Sequence, residues 1–149
     1  MTIQHPSPRR YLAAFVAALC APAVSAEPPP FVADGIWLDI DAGTYETSEP
    51  SRYGVLATNG GKAEGKQVIL RTQGESASAI RVTGAFSEVT LTGGELTTKG
   101  DLAHGLYVTG TQGTVTSLYG VDIRTEGGSA TGATFALDGA AGRIEGGSI

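Results

Sequence analysis

Along most of the chain, apolar and polar side chains alternate in short runs. Examples are "QVILRT" (67–72), "SEVTLT" (87–92) and "GTVTSL" (113–118), which lie between glycine-rich breaks. Alternation with enrichment in β-branched residues predicts strands of a few residues separated by tight turns. Beyond residue 30 no stretch keeps apolar residues at helical spacing for more than about two turns, so the expected fold class is all-β.

The pattern repeats. Taking Thr98 in "LTTKGDLAHGLYV" as origin, equivalents fall at Thr47, Thr72 and Thr125, with spacings of 25, 26 and 27 residues. Two positions before each threonine stands a large apolar residue: Tyr45, Leu70, Leu96 and Ile123. Two positions after come Glu49, Gly74, Gly100 and Gly127. Further on, Val55, Ile80, Leu106 and Ala133 correspond, as do Ala57, Val82, Val108 and Phe135. A second block of the form apolar, any, small, any, any, apolar precedes the threonine. It appears as "IDAGTY" (40–45), "LTGGEL" (91–96), "LYGVDI" (118–123) and "IEGGSI" (144–149), and the copy leading to Leu70 lacks it.

Such a period, with strands and glycine corners, is met by coils stacked so that each strand lies beside its equivalent about 4.8 Å along the axis. The expectation is a right-handed parallel β-helix of about four rungs, roughly 20 Å tall. Leu70, Leu96 and Ile123 stack inside it, with Thr72, Thr98 and Thr125 as a polar ladder able to hold an extended ligand. Residues 27–39, carrying Phe31, Ile36, Trp37 and Leu38, are expected to cap the first rung, and residues 40–149 to form the repeats. Ile149 falls two positions before the next expected threonine, so the pattern stops inside a repeat.

Composition and charge narrow the function. Arg9 and Arg10 followed by the apolar stretch 11–24 and the small residues Ser25 and Ala26 read as an export signal spanning 1–26. The only cysteine, Cys20, lies in that stretch and follows Leu19, where a lipoprotein signal would carry a small residue. Residues 27–149 then hold no cysteine, which excludes disulfides and thiolate chemistry there. Removing two arginines from ten basic residues leaves eight against fifteen acidic ones, a net charge of −7. That balance disfavours nucleic acid and anionic membrane surfaces as partners.

The T-x-G-x-x-A-x-G form of "TKGDLAHG" and "TEGGSATG", behind an export signal, resembles the rungs of bacterial autotransporter passenger domains of the pertactin-like β-helix type. The resemblance spans about residues 36–149. It implies export, passage through a C-terminal outer-membrane β-barrel, folding on the cell surface, and adhesion or contact with a host or surface glycan or protein. No barrel-like run of ten-residue amphipathic strands follows in this sequence. The expectation is therefore an N-terminal fragment of a longer protein or a truncated gene product. Without a barrel the chain would remain in the periplasm.

Candidate sites are few. His104 occupies the offset filled elsewhere by Tyr53, Ser78 and Thr131, and reads as an outward residue beside a turn at Asp101. Asp39 and Asp41 flank Ile40 as the solvent face of a strand. The stretch 58–66, "TNGGKAEGK", mimics a phosphate loop, but Gln67 replaces the Ser or Thr and a strand follows where a helix is required. It is expected to be a loop leaving the coil. No catalytic, cofactor or metal residue is assigned, and the chain is expected to be non-enzymatic. The competing expectation is an extracellular polysaccharide-processing β-helix enzyme, which would need clustered acids.

Overall fold

The computed structural model describes residues 30–149 apart from 137 and 138. The export signal expected over 1–26 lies outside these. Among the described residues no helix is long and apolar enough to cross a membrane, and all regular structure is strand. Strands β1 (Phe31–Asp34), β2 (Trp37–Ile40) and β3 (Gly43–Thr47) make the first coil. Then β4 (Val55–Thr58) and β5 (Lys62–Thr72) make the second, and β6 (Ile80–Val82) and β7 (Glu88–Thr98) the third. A fourth comprises β8 (Leu106–Val108), β9 (Thr114–Tyr119) and β10 (Asp122–Thr125), and β11 (Ala133–Phe135) and β12 (Ala140–Glu145) begin another.

Every strand pairing is parallel and joins a strand to its equivalent in the next coil. One sheet stacks β1-β4-β6-β8-β11. The other stacks β12-β9-β7-β5-β2, with β3 and β10 continuing it around a bend within β5 and β7. The molecule is thus a parallel β-solenoid of about four turns, as the period of the sequence requires.

The expected column is present. Tyr45 pairs in register with Leu70, Leu70 with Leu96, and Leu96 with Ile123, and all four side chains are buried. On the smaller sheet Val55, Ile80 and Leu106 are fully buried and in register. Each such leucine or isoleucine contributes about 1.5–3 kcal/mol by leaving water, and only neighbouring coils make that possible.

The copy that lacks the second block has a compensating change. Its position equivalent to Ile40 and Leu91 is Gly65. A Cβ there would come 2.7 Å from a methyl of Val68, so Val68 fills the space that Leu91 fills one coil on. In that next coil the partner of Val68 is Gly94. Bulk has moved three residues along the chain while the core stays filled.

Three parts of the sequence reading change. Of the segment expected to cap the first rung, the described residues from 31 onward form β1 and β2, in register with β4 and β5. Phe31 and Ala33 lie inside, and Phe31 packs edge-on against Tyr45 at 4.7 Å. Ile36 and Trp37 are more than half exposed and cover no rung among the described residues. The stretch 58–66 is a corner at Asn59 and Gly60 followed by the start of β5, which leaves no excursion from the coil.

The threonine column is also on the other side of the wall from where a ligand ladder needs it. Thr72 and Thr98 are buried, as is Thr47 below them, and Thr125 is half-buried, because they share the parity of Tyr45, Leu70, Leu96 and Ile123 along each strand. Thr98 Oγ1 donates to the Ala103 carbonyl at 2.6 Å, whereas Thr72 Oγ1 has no hydrogen-bond partner among the described residues. Thr72→Val should therefore raise stability by about 1 kcal/mol, removing an orphaned hydroxyl at constant shape. Thr98→Val should lower it by about 1 kcal/mol, as its hydrogen bond is lost. Urea unfolding of the two variants checks the opposite signs.

Candidate functional surface

Each strand that buries alternate residues must present the others, so the outer faces of the two sheets are the surface available for chemistry. On the larger sheet the outward residues of β2 are Trp37 and Asp39, and those of the facing half of β5 are Lys62, Glu64 and Lys66. Trp37, Asp39, Asp41, Glu64, Lys66, Thr90 and Thr92 line a groove of about 410 Å³. Trp37 is 64% exposed, the largest apolar side chain offered to solvent. Lys62 Nζ donates to Glu88 at 2.9 Å beside it, closing one rim.

Asp39 and Asp41 lie on the solvent face as the alternation predicted, and the register adds Glu64 opposite Asp39. That third acid stands one coil away at the 25-residue spacing of the first two copies, and was passed over because only recurring residue types were aligned. Among the described residues no three His, Cys, Asp or Glu side chains converge closely enough to hold a metal ion.

Beyond the bend, the same sheet carries a charged groove of about 340 Å³ lined by Glu46, Arg71, Thr97, Lys99, Arg124 and Glu126, among others. Arg71 pairs with Glu46 at 3.2 Å and Arg124 with Glu126 at 2.9 Å. These exposed pairs are worth little individually; the first joins neighbouring coils and the second lies within one.

The smaller sheet presents a different chemistry. Its outward ladder runs Val32, Leu56, Arg81, Tyr107 and Thr134 in register. Arg81 lies over both the Tyr53 ring, at 5.1 Å, and the Tyr107 ring, at 5.3 Å, and donates to the Tyr53 hydroxyl at 2.8 Å. The His104 ring stacks on Tyr107 with centroids 5.0 Å apart.

Asp101 and His104 are not partners. Asp101 Oδ1 accepts from the Gly128 backbone N–H at 2.7 Å, tying one corner to the next. His104 Nδ1 accepts from the Thr131 backbone N–H at 3.1 Å, which places the proton of the neutral ring on Nε2. Desolvation lowers the His104 pKa below its ordinary value.

An unfolded histidine titrates near about 6.5, so below that pH the unfolded chain takes up a proton that the folded chain resists. The folded state should keep its full stability above about pH 6.5 and lose some of it as pH falls further. His104→Ala should remove that part of the pH dependence. Melting temperatures of parent and variant, compared above and below about pH 6.5, read the difference directly.

No family model, curated protein or solved structure matches this chain.

Proposed function

We propose that this chain is an exported, non-catalytic β-solenoid that works as a binding surface at or beyond the cell surface, holding an extended saccharide along the groove at Trp37. The exposure of Trp37 on the flat face of a stacked sheet is the observation that carries this reading. Exposing an indole forfeits burial worth a few kcal/mol, and its flat apolar face is the surface on which a sugar ring stacks. Around it Thr90, Thr92, Asp39, Asp41 and Glu64 supply the hydroxyls and carboxylates that pair with sugar hydroxyl groups. A face built from repeated coils lengthens with each coil, which suits a polymeric ligand better than a compact one.

The excess of acid over Lys66 in this groove favours a neutral or basic saccharide. Trp37 is the only tryptophan of the chain, so its fluorescence reports on this site alone. Titration with a panel of neutral and amino-sugar oligosaccharides should give a saturable change, and Trp37→Ala should abolish binding measured by calorimetry. A flat response across the panel from correctly folded protein would sink the reading.

A second reading, polysaccharide cleavage, is favoured by one observation: Asp39, Asp41 and Glu64 share the groove. Release of shortened products that stops in Glu64→Gln would replace the first reading with this one. The fraction in which the exported chain is recovered, surface or periplasm, tests the expected destination.

A further inference from the structure

We infer that the smaller sheet carries a second binding site, centred on Arg81, for a saccharide bearing a carboxylate. Five arginines lie among the described residues. Arg52, Arg71, Arg124 and Arg143 each pair with a glutamate of their own chain. Arg81 alone has no carboxylate partner within 4.0 Å among the described residues, in a chain with nearly twice as many acidic as basic residues beyond the signal. Its single hydrogen bond to Tyr53 leaves most of the guanidinium donors unspent.

The surrounding face is prepared for an anion in two further ways. Outward positions of the five strands hold one acid, Asp34, and that side chain is occupied by Asn59 at 2.7 Å. Strand acids such as Glu46, Glu64, Glu95 and Asp122 belong to the larger sheet. The rings of Tyr53 and Tyr107 also hold the guanidinium between them, which orients its planar fork in advance.

A planar carboxylate meets that fork through two parallel N–H···O bonds, a geometry that Lys cannot reproduce. His104, with its proton on Nε2, supplies one more donor beside Tyr107. The partly exposed tyrosine faces give the carbon skeleton of a sugar a surface to pack on. A uronate unit satisfies all three features together. This site is independent of the groove at Trp37 and lies on the other sheet.

Calorimetric titration of trigalacturonate into the purified chain tests the assignment. Saturable binding is expected, weakened about tenfold or more in both Arg81→Gln and Arg81→Lys and unchanged in Trp37→Ala. The fully methyl-esterified trimer should bind at least about tenfold more weakly, and acetate at equal carboxylate concentration should not compete. Equal binding of acid and ester, parent-like binding by Arg81→Gln, or competition by acetate as effective as the trimer would each overturn it. The last of these would reduce the site to a bare anion contact. Arg81→Lys keeps charge and aliphatic stem, so its circular dichroism secures the comparison should Arg81→Gln fold poorly.

Discussion

Leu96→Asp is expected to unfold or aggregate the protein outright. Leu96 is fully buried in β7, paired in register with Leu70 on one side and Ile123 on the other. Removing the leucine side chain alone should cost about 3 kcal/mol, the expected result for Leu96→Ala. An aspartate adds a carboxyl with no partner, which must either stay charged in an apolar column or bind a proton at a cost of several kcal/mol. The sum approaches the whole stability of an ordinary domain, about 5–15 kcal/mol. Thr92→Asp, in the same strand but exposed, should change stability by less than about 0.5 kcal/mol. Far-ultraviolet circular dichroism and urea unfolding of the three variants give the ranking. A folded Leu96→Asp protein of near-parent stability would mean that equivalent residues do not share one core.

Gly100→Ala should be nearly as damaging for a different reason. A Cβ at Gly100 would stand 1.9 Å from the carbonyl oxygen of Gly74, one coil below. The same holds up the column: Gly127 would meet the carbonyl of Gly100 at 1.9 Å, and Gly74 that of Glu49 at 2.1 Å. The obstacle is backbone, and it is held in place by ladder bonds such as Lys99 N–H to the Thr72 carbonyl at 2.9 Å. Two coils must therefore separate to admit one methyl group. We expect a loss of about 3 kcal/mol or more, at the top of what overpacking usually costs, and a fall in melting temperature of about 10 °C. Gly120 is the control. Its φ is +62° and an added Cβ there meets nothing within 4 Å, so Gly120→Ala should cost only about 1–2 kcal/mol, from backbone strain alone. Equal effects at the two positions would show that close approach is not what fixes the glycine column.

These two residue columns explain why the fold was legible in the sequence. In a stack of parallel in-register coils, the structural neighbours of Leu96 are its sequence equivalents, so periodicity in the chain is contact in space. The glycines at 74, 100 and 127 are visible for the same reason. Less was legible where neighbouring coils trade bulk: Gly65 and Val68 satisfy the core together, and neither matches the pattern by itself. The threonine column was misread as a ligand ladder because its even spacing from Leu70 and Leu96, which places it inward, was not followed through. The surface chemistry was least legible. The union of Asp39 with Glu64, and of Arg81 with Tyr53 and Tyr107, depends on side chains a full coil apart whose types do not repeat. A search for recurring residues passes over exactly those positions. Trp37 was noticed but assigned to capping, because a large apolar residue near a rung end was expected to be covered.

The corner between the two sheets contains Gly35, Gly60, Gly113 and Gly139, all with positive φ, and among them Phe86 at φ +60° and 62% exposed. The tip at Phe86 admits a bulky side chain although the same corner is tight elsewhere, where a Cβ at Gly61 would stand 1.9 Å from the Ala33 carbonyl oxygen. That tip is the natural place to graft foreign peptide: a segment spliced in at Phe86 would project from the side of the stack while the layers above and below kept their alignment.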